Sequence, residues 1–179
     1  MKEFQMLLRD VEQNGQTFHY NNQKIWLEPM KEFHISCKII DDIQAEVFVL
    51  PEEDGCLFRG KLRGKVSVPC DRCAEETEIK IDYVFDEFEG YPPADQEEIL
   101  DDTLDDNRVI FKDKNALVLD MGALLWEEFV LTLPTKPLCK NNCKGVCPKC
   151  GKNLNEGICA CEDEGSDPRF AVLRNLKIQ

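Results

Sequence analysis

The C-terminal third of the chain contains a dense group of cysteines. Six of the chain's ten cysteines lie between residues 139 and 161, in the stretch CKNNCKGVCPKCGKNLNEGICAC. Zinc prefers four soft ligands arranged as a tetrahedron, and two cysteines separated by two residues can reach one ion from a single tight turn. What these sulfur atoms bind therefore decides how this part of the chain folds.

The stretch CPKCG at residues 147–151 has the form of a metal-binding turn. Proline fixes the backbone after Cys147, and glycine after Cys150 permits the positive φ that such a turn often needs. Cys159 and Cys161 follow after a loop long enough for the chain to return. We expect these four cysteines to bind one zinc ion through four thiolates.

Two further cysteine pairs remain, Cys139 with Cys143 and Cys70 with Cys73. The two pairs could share a second zinc ion that pins a β-hairpin tip to the C-terminal module. Alternatively, the chain binds one ion, with Cys139 or Cys143 replacing one of the later cysteines. The sequence leaves both possibilities open.

The chain's N-terminus and overall charge indicate where it works. The start, MKEFQMLLRD, lacks the apolar run of a secretory signal, and charges interrupt every apolar run before the roughly 18 residues of a membrane span. We expect a cytoplasmic protein with reduced thiols and no membrane partner. A net charge of −13 opposes general nucleic-acid binding, so any contact with RNA must be local.

The composition and the hydrophobic patterns predict an α+β fold with an antiparallel β-rich core and a few helices. Residues 45–50, 57–68 and 77–85 read as strands, the last two with the period-2 alternation of half-buried strands. We expect these two to form a hairpin around a two-residue turn at 71 and 72. That register places Lys61 opposite Asp82, Lys65 opposite Glu78 and Leu62 opposite Ile81.

Three segments are predicted along the chain. Residues 1–133 form the β-rich domain, with short strands over 1–33, an exposed acidic loop at 86–107, and a helix from about 120 to 132 capped by Asp120. Residues 134–165 form a cysteine-rich, zinc-ribbon-like module. Residues 166–179 form an amphipathic helix that docks on the core.

Two groups of basic residues are candidate RNA contacts. One is the strand bearing Lys61 and Lys65 with its neighbouring arginines, although cross-strand pairing with acids is the simpler account of these residues. The other is the surface of Lys140, Lys144 and Lys149, in a stretch that contains no acid. Because a zinc ion held by four thiolates carries formal charge −2, that surface is less positive than its lysines suggest.

Catalysis has little support in the sequence. Four thiolates leave no open position for water, which is typical of structural rather than catalytic zinc. His19 and His34 lie in no recognisable motif, no nucleotide-binding motif occurs, and Cys37 and Cys56 read as small apolar strand residues. We therefore expect no enzymatic activity and no nucleotide cofactor.

Four stretches resemble the YceD-like family of large ribosomal RNA subunit accumulation proteins. They are VPCDRC at 68–73, FVLTLP at 129–134, CKGVCPKCGKNLN at 143–155 and DPRFAVL at 167–173. The resemblance covers roughly residues 35–179. It implies a bacterial protein with no known catalytic activity and a role in producing or accumulating 23S ribosomal RNA.

The leading hypothesis is therefore a non-enzymatic assembly factor of the large ribosomal subunit that carries one or two structural zinc ions. Its partner would be precursor large-subunit ribosomal RNA or a ribosomal protein. Two alternatives belong to other classes. One is a thiol-based redox or metal-responsive protein acting through Cys70 and Cys73, and the other is a zinc-ribbon protein of transcription.

Overall fold

The computed structural model describes residues 3–92, 109–113 and 116–161. Within these residues the chain forms two antiparallel sheets and two α-helices, which confirms the predicted β-rich α+β class. The strands are β1 (Gln5–Leu7), β2 (Gln16–Tyr20), β3 (Lys38–Pro51), β4 (Gly55–Pro69), β5 (Glu76–Gly90), β6 (Ile110–Asp113) and β7 (Ala116–Asp120). The larger sheet has the order β2-β3-β4-β5 and the smaller one the order β1-β7-β6.

Three long strands, β3, β4 and β5, make up most of the larger sheet. The predicted strands at 45–50, 57–68 and 77–85 are confirmed as parts of β3, β4 and β5, and each observed strand is longer than its prediction. Alternate side chains point into one core, where Phe58, Leu62 and Val66 of β4 are fully buried. This alternation is the period-2 burial that the sequence pattern predicts.

The register of the β4–β5 hairpin differs from the prediction by two residues. Lys61 lies opposite Val84 and Leu62 opposite Tyr83, because Pro69 pairs with Glu76 and residues 70–75 form the turn. A shift of two residues leaves every side chain on its expected face. The expected charge pairs are therefore still made, but diagonally, with Lys61 Nζ 3.0 Å from Asp82 Oδ1.

The first α-helix, α1, spans Lys24–Glu32, where the sequence suggested a short strand. That prediction was wrong because Ile25, Trp26 and Met30 share one helical face and are buried in the core. Packing of this face outweighs the breaking tendency of Pro29, which lies inside the helix.

The second α-helix, α2, spans Met121–Thr132 and confirms the predicted helix and its cap. The Asp120 side chain accepts a hydrogen bond from the Ala123 amide at 2.9 Å. Trp126 of α2 stacks on Phe33 with the ring centres 6.0 Å apart, which joins the two helices. Neither of the two described helices is long and apolar enough to cross a membrane.

Three predicted segments lie partly or wholly outside the described residues, among them the cysteine-rich module, of which residues 162–165 are not described. The acidic loop was predicted to begin at residue 86, but β5 continues to Gly90, so residues 86–90 are strand. The part of that loop beyond residue 92 and the predicted helix at 166–179 lie outside the described ranges. Residues 134–161 are organised by turns around a single isolated bridge between Val146 and Asn153.

Candidate metal centres

The tip of the β4–β5 hairpin presents Cys70 and Cys73 from one tight turn. The Cys70 amide donates to the Glu75 carbonyl, and the Ala74 amide donates to the Cys70 carbonyl, both at 2.8 Å. Ala74 takes a positive φ of 59° to close this turn. The turn at residues 70–75, which is longer than the predicted two-residue turn, therefore brings two thiols to one side of the hairpin tip.

The hairpin thiols meet Cys139 and Cys143 in a first tetrad. All four Sγ atoms lie within 4.8 Å of one another. Cys70 and Cys143 are 3.8 Å apart at sulfur, and Cys73 and Cys139 are 3.5 Å apart. Three of the four cysteines are buried, and Cys139 is exposed. These are the two pairs for which the sequence offered a shared ion as one possibility.

Cys147, Cys150, Cys159 and Cys161 form a second tetrad, with the same 4.8 Å limit between Sγ atoms. Its CPKCG turn is closed by a hydrogen bond from the Gly151 amide to the Cys147 carbonyl at 2.9 Å. Gly151 has a φ of +71°, as the motif predicts. Cys150 and Cys161 are exposed, so this tetrad is more open to solvent than the first.

Sulfur spacing in both tetrads fits zinc better than disulfides. A zinc–sulfur bond of about 2.3 Å gives a tetrahedron whose sulfur atoms are about 3.8 Å apart. The contacts of 3.5 to 3.8 Å match that edge, whereas a disulfide bond measures about 2.05 Å. The donor set of four thiolates is also the set that structural zinc prefers.

Backbone amides favour the thiolate form of one cysteine in each tetrad, whereas a hydrogen bond with Cys150 raises the pKa of Cys161 to about 12. Backbone amides, chiefly that of Cys139, lower the pKa of Cys70 to about 6. Amides of Cys150 and Lys149 likewise lower the pKa of Cys147 to about 6. Since metal binding requires deprotonated sulfur, these donors prepare the ligands for a cation.

The C-terminal region is attached to the hairpin tip through Arg72. The Arg72 guanidinium donates to the Cys143 carbonyl at 2.8 Å, and the Val146 amide donates to the Arg72 carbonyl at 3.1 Å. Gly145 sits between them with a φ of +74°, and a Cβ there would lie 2.9 Å from the Arg72 carbonyl oxygen. Only glycine permits this approach without a shift.

Asn155 connects the two tetrads and was not singled out from the sequence. Its Nδ2 donates to Cys143 Sγ at 3.2 Å, and its Oδ1 accepts from the Lys144 amide at 3.0 Å. The donation lowers the pKa of Cys143. The sequence offers only a weak signal for this role. An asparagine that follows a cysteine motif does not reveal which sulfur atom accepts its hydrogen bond.

The remaining candidate residues lie away from both tetrads. Cys56 is buried on β4 and Cys37 is half-buried just before β3, and burial raises the pKa of Cys37 to about 11. His19 lies on β2 with Nδ1 3.5 Å from Glu46. None of the metal-ligating groups found among the described residues includes these side chains.

The basic strand of the larger sheet is engaged with carboxylates. Lys61 and Arg63 both approach Asp82, and Lys65 lies 3.6 Å from Glu78 and 3.7 Å from Asp41. Pairing with carboxylates on neighbouring strands thus accounts for these cations better than a role as an open binding surface for RNA phosphates does.

The class of protein defined here has an antiparallel β-rich α+β fold in which cysteines of the C-terminal region cluster with cysteines of a hairpin tip. Residues 58–177 match the family model described as Large ribosomal RNA subunit accumulation protein YceD. The chain belongs to this family, which confirms the resemblance seen in the sequence.

Curated relatives include one protein with the same description. "Large ribosomal RNA subunit accumulation protein YCED homolog 1, chloroplastic" of Arabidopsis thaliana is 26% identical over 157 residues, 76% of this chain and 49% of the relative. Uncharacterized proteins of Mycobacterium bovis and Mycobacterium tuberculosis are 26% identical over 120 residues, 67% of this chain and 55% of each relative. The chain spans about half the length of the curated relatives it matches. No solved structure matches it.

Proposed function

We propose that this chain is a non-enzymatic cytoplasmic factor needed for the synthesis, processing or accumulation of 23S ribosomal RNA and for assembly of the large ribosomal subunit. The observation that carries the proposal is the family match over residues 58–177, which covers most of the β4–β5 hairpin and both tetrads. The Arabidopsis relative is itself named for accumulation of the large ribosomal RNA subunit.

Both tetrads hold structural zinc in this proposal. Zinc supplies folding free energy to a region that has almost no regular secondary structure of its own. Cys70, Cys73, Cys139 and Cys143 would hold one ion, and Cys147, Cys150, Cys159 and Cys161 the other. Each set of four thiolates completes a tetrahedron, so the metal serves to shape a binding surface and not to activate water.

The partner is precursor large-subunit ribosomal RNA or a ribosomal protein. If RNA is contacted, the surface around Lys140 and Lys144 is better suited than β4, because neither lysine forms an ion pair among the described residues. The cations of β4 would first have to leave their carboxylates. A thiol-redox function is less well supported, since Cys70 and Cys73 are buried and share their cluster with two further cysteines.

Depletion in cells tests the function. We expect the ratio of 23S to 16S ribosomal RNA to fall, and precursor large subunits to accumulate in sucrose gradients. Wild-type chain and the Cys37→Ser variant should restore the ratio, whereas Cys147→Ser with Cys150→Ser should restore it incompletely. An unchanged ratio after depletion would contradict the proposal.

A further inference from the structure

Apart from the two tetrads, a further candidate site lies between α2 and the end of β5. It is a cavity of about 200 Å³ with an apolar floor that includes Phe58, Val109 and Leu124. Four glutamates also line it, two from β5 and two from α2, namely Glu87, Glu89, Glu127 and Glu128.

Glu128 is the unusual member of this group. Its side chain is only 3% exposed, and its Oε2 atom has no hydrogen-bond partner. The Tyr83 side chain hydrogen-bonds to the Glu128 carboxyl group, but Oε2 is left without a partner. A buried charge is normally compensated by a cation, whereas Tyr83 supplies only a neutral hydroxyl. Burial, together with the nearby Glu87 carboxylate, raises the pKa of Glu128. No lysine or arginine is among the described residues that line the cavity.

The mouth of the cavity also has an apolar feature. Leu131 lies one turn beyond Glu128 on α2, lines the cavity, and is 67% exposed. Large aliphatic side chains beside an acidic pocket suit a ligand that carries both apolar groups and a cation. A lysine or arginine has this character by itself, since its aliphatic stem covers apolar surface while its head reaches a carboxylate.

Other ligand classes fit less well. The four glutamates would repel the phosphates of RNA. Their oxygens are not among the converging ligand groups found in the described residues, which are the two cysteine tetrads alone. A bare divalent cation would therefore find too few ligands at bonding distance.

We propose that this acidic cavity binds a lysine or arginine side chain from a cationic, partly apolar segment of a partner protein. The Glu128 carboxylate receives the cation, and Leu131 packs on the apolar neighbours of that residue. Identifying the partner as a ribosomal protein rests on the proposed function, whereas the chemistry of the cavity does not.

Binding of a defined probe tests the inference. The probe is a short fluorescent helical peptide with leucines on one face and lysines on the other, measured by anisotropy with the full zinc-loaded chain. We expect Glu128→Gln to weaken binding about tenfold. Leu131→Ser should weaken it to a smaller extent. Glu53→Gln removes the same charge from an exposed turn and should leave binding unchanged, which separates the site from general attraction to an acidic protein.

Three results would overturn the inference: no binding of the lysine peptide, equal binding by wild type and Glu128→Gln, or equal binding of a matched peptide with glutamate in place of lysine. Failure here with a normal fall of 23S RNA on depletion would remove the cavity proposal alone. Binding that depends on Glu128, with an unchanged RNA ratio, would remove the proposed function alone.

Discussion

Asn155 Nδ2 donates a hydrogen bond to Cys143 Sγ at 3.2 Å, so a residue of the second tetrad's loop contacts a ligand of the first tetrad. The contact runs across the junction where Val146 also binds Arg72 of the hairpin. The two tetrads and the hairpin tip are therefore connected by hydrogen bonds. We expect a substitution at this junction to change the metal affinity of the first tetrad.

Replacing Asn155 with alanine should weaken zinc binding at the first tetrad. Groups that hydrogen-bond to metal ligands typically contribute about 10- to 100-fold to metal affinity. We expect a loss in that range, with stoichiometry unchanged at saturating zinc, measured by competition with a zinc-binding dye. Asn141→Ala, at an exposed position of the same region, is the matched control. Equal affinities for the two variants would show that the contact does not tune the metal.

The two tetrads should release metal at different rates. Cys150 and Cys161 are exposed in the second tetrad, while three ligands of the first are buried. We expect zinc release to a chelator in two phases of equal amplitude. The Cys150→Ser variant should lose the fast phase and keep the slow one. A single phase in the wild-type chain would mean that the difference in burial does not control release.

Two glycine variants separate backbone strain from close contact. Gly145 and Gly151 both have a φ near +70°, but a Cβ lies 2.9 Å from the Arg72 carbonyl only at Gly145. A positive φ costs a side chain about 1 kcal/mol at either site. Gly145→Ala should therefore lower the melting temperature of the zinc-loaded chain more than Gly151→Ala. Equal shifts would mean that the approach of Gly145 to Arg72 adds nothing.

Asp120 should be needed for the stability of α2. Its Oδ1 caps the helix through the Ala123 amide, and its Oδ2 accepts from Gln5 Nε2 at 2.8 Å. We expect Asp120→Ala to lower the free energy of unfolding by about 1 to 2 kcal/mol in urea titrations. Asp42→Ala, at an exposed position on β3, should stay close to wild type. Matching values for both variants would contradict the assigned cap.

The sequence predicted local features well where one physical signal dominates. The alternation in β4 and β5 and the cap of α2 are such cases, because a half-buried strand and a capped helix each impose a pattern on neighbouring residues. The form of the CPKCG turn was predicted for the same reason.

Features that depend on distant contacts were not predicted. The helix α1 follows from burial of Trp26 in the core, which the local run of apolar residues does not reveal. The hairpin register depends on the length of the turn at 70–75, and the alternation within the strands does not reveal that length. The convergence of Cys70 and Cys139 joins residues far apart in sequence, so spacing alone left the ligand sets open.

Zinc content tests the central claim most directly. Chain purified without oxidation should contain two zinc ions per molecule by elemental analysis, with four sulfur neighbours per zinc in the X-ray absorption spectrum. Cys143→Ser should reduce zinc content or affinity, whereas Cys37→Ser should retain two ions. Purified, reduced chain that contains no zinc, yet keeps residues 134–161 folded against the hairpin, would contradict the account.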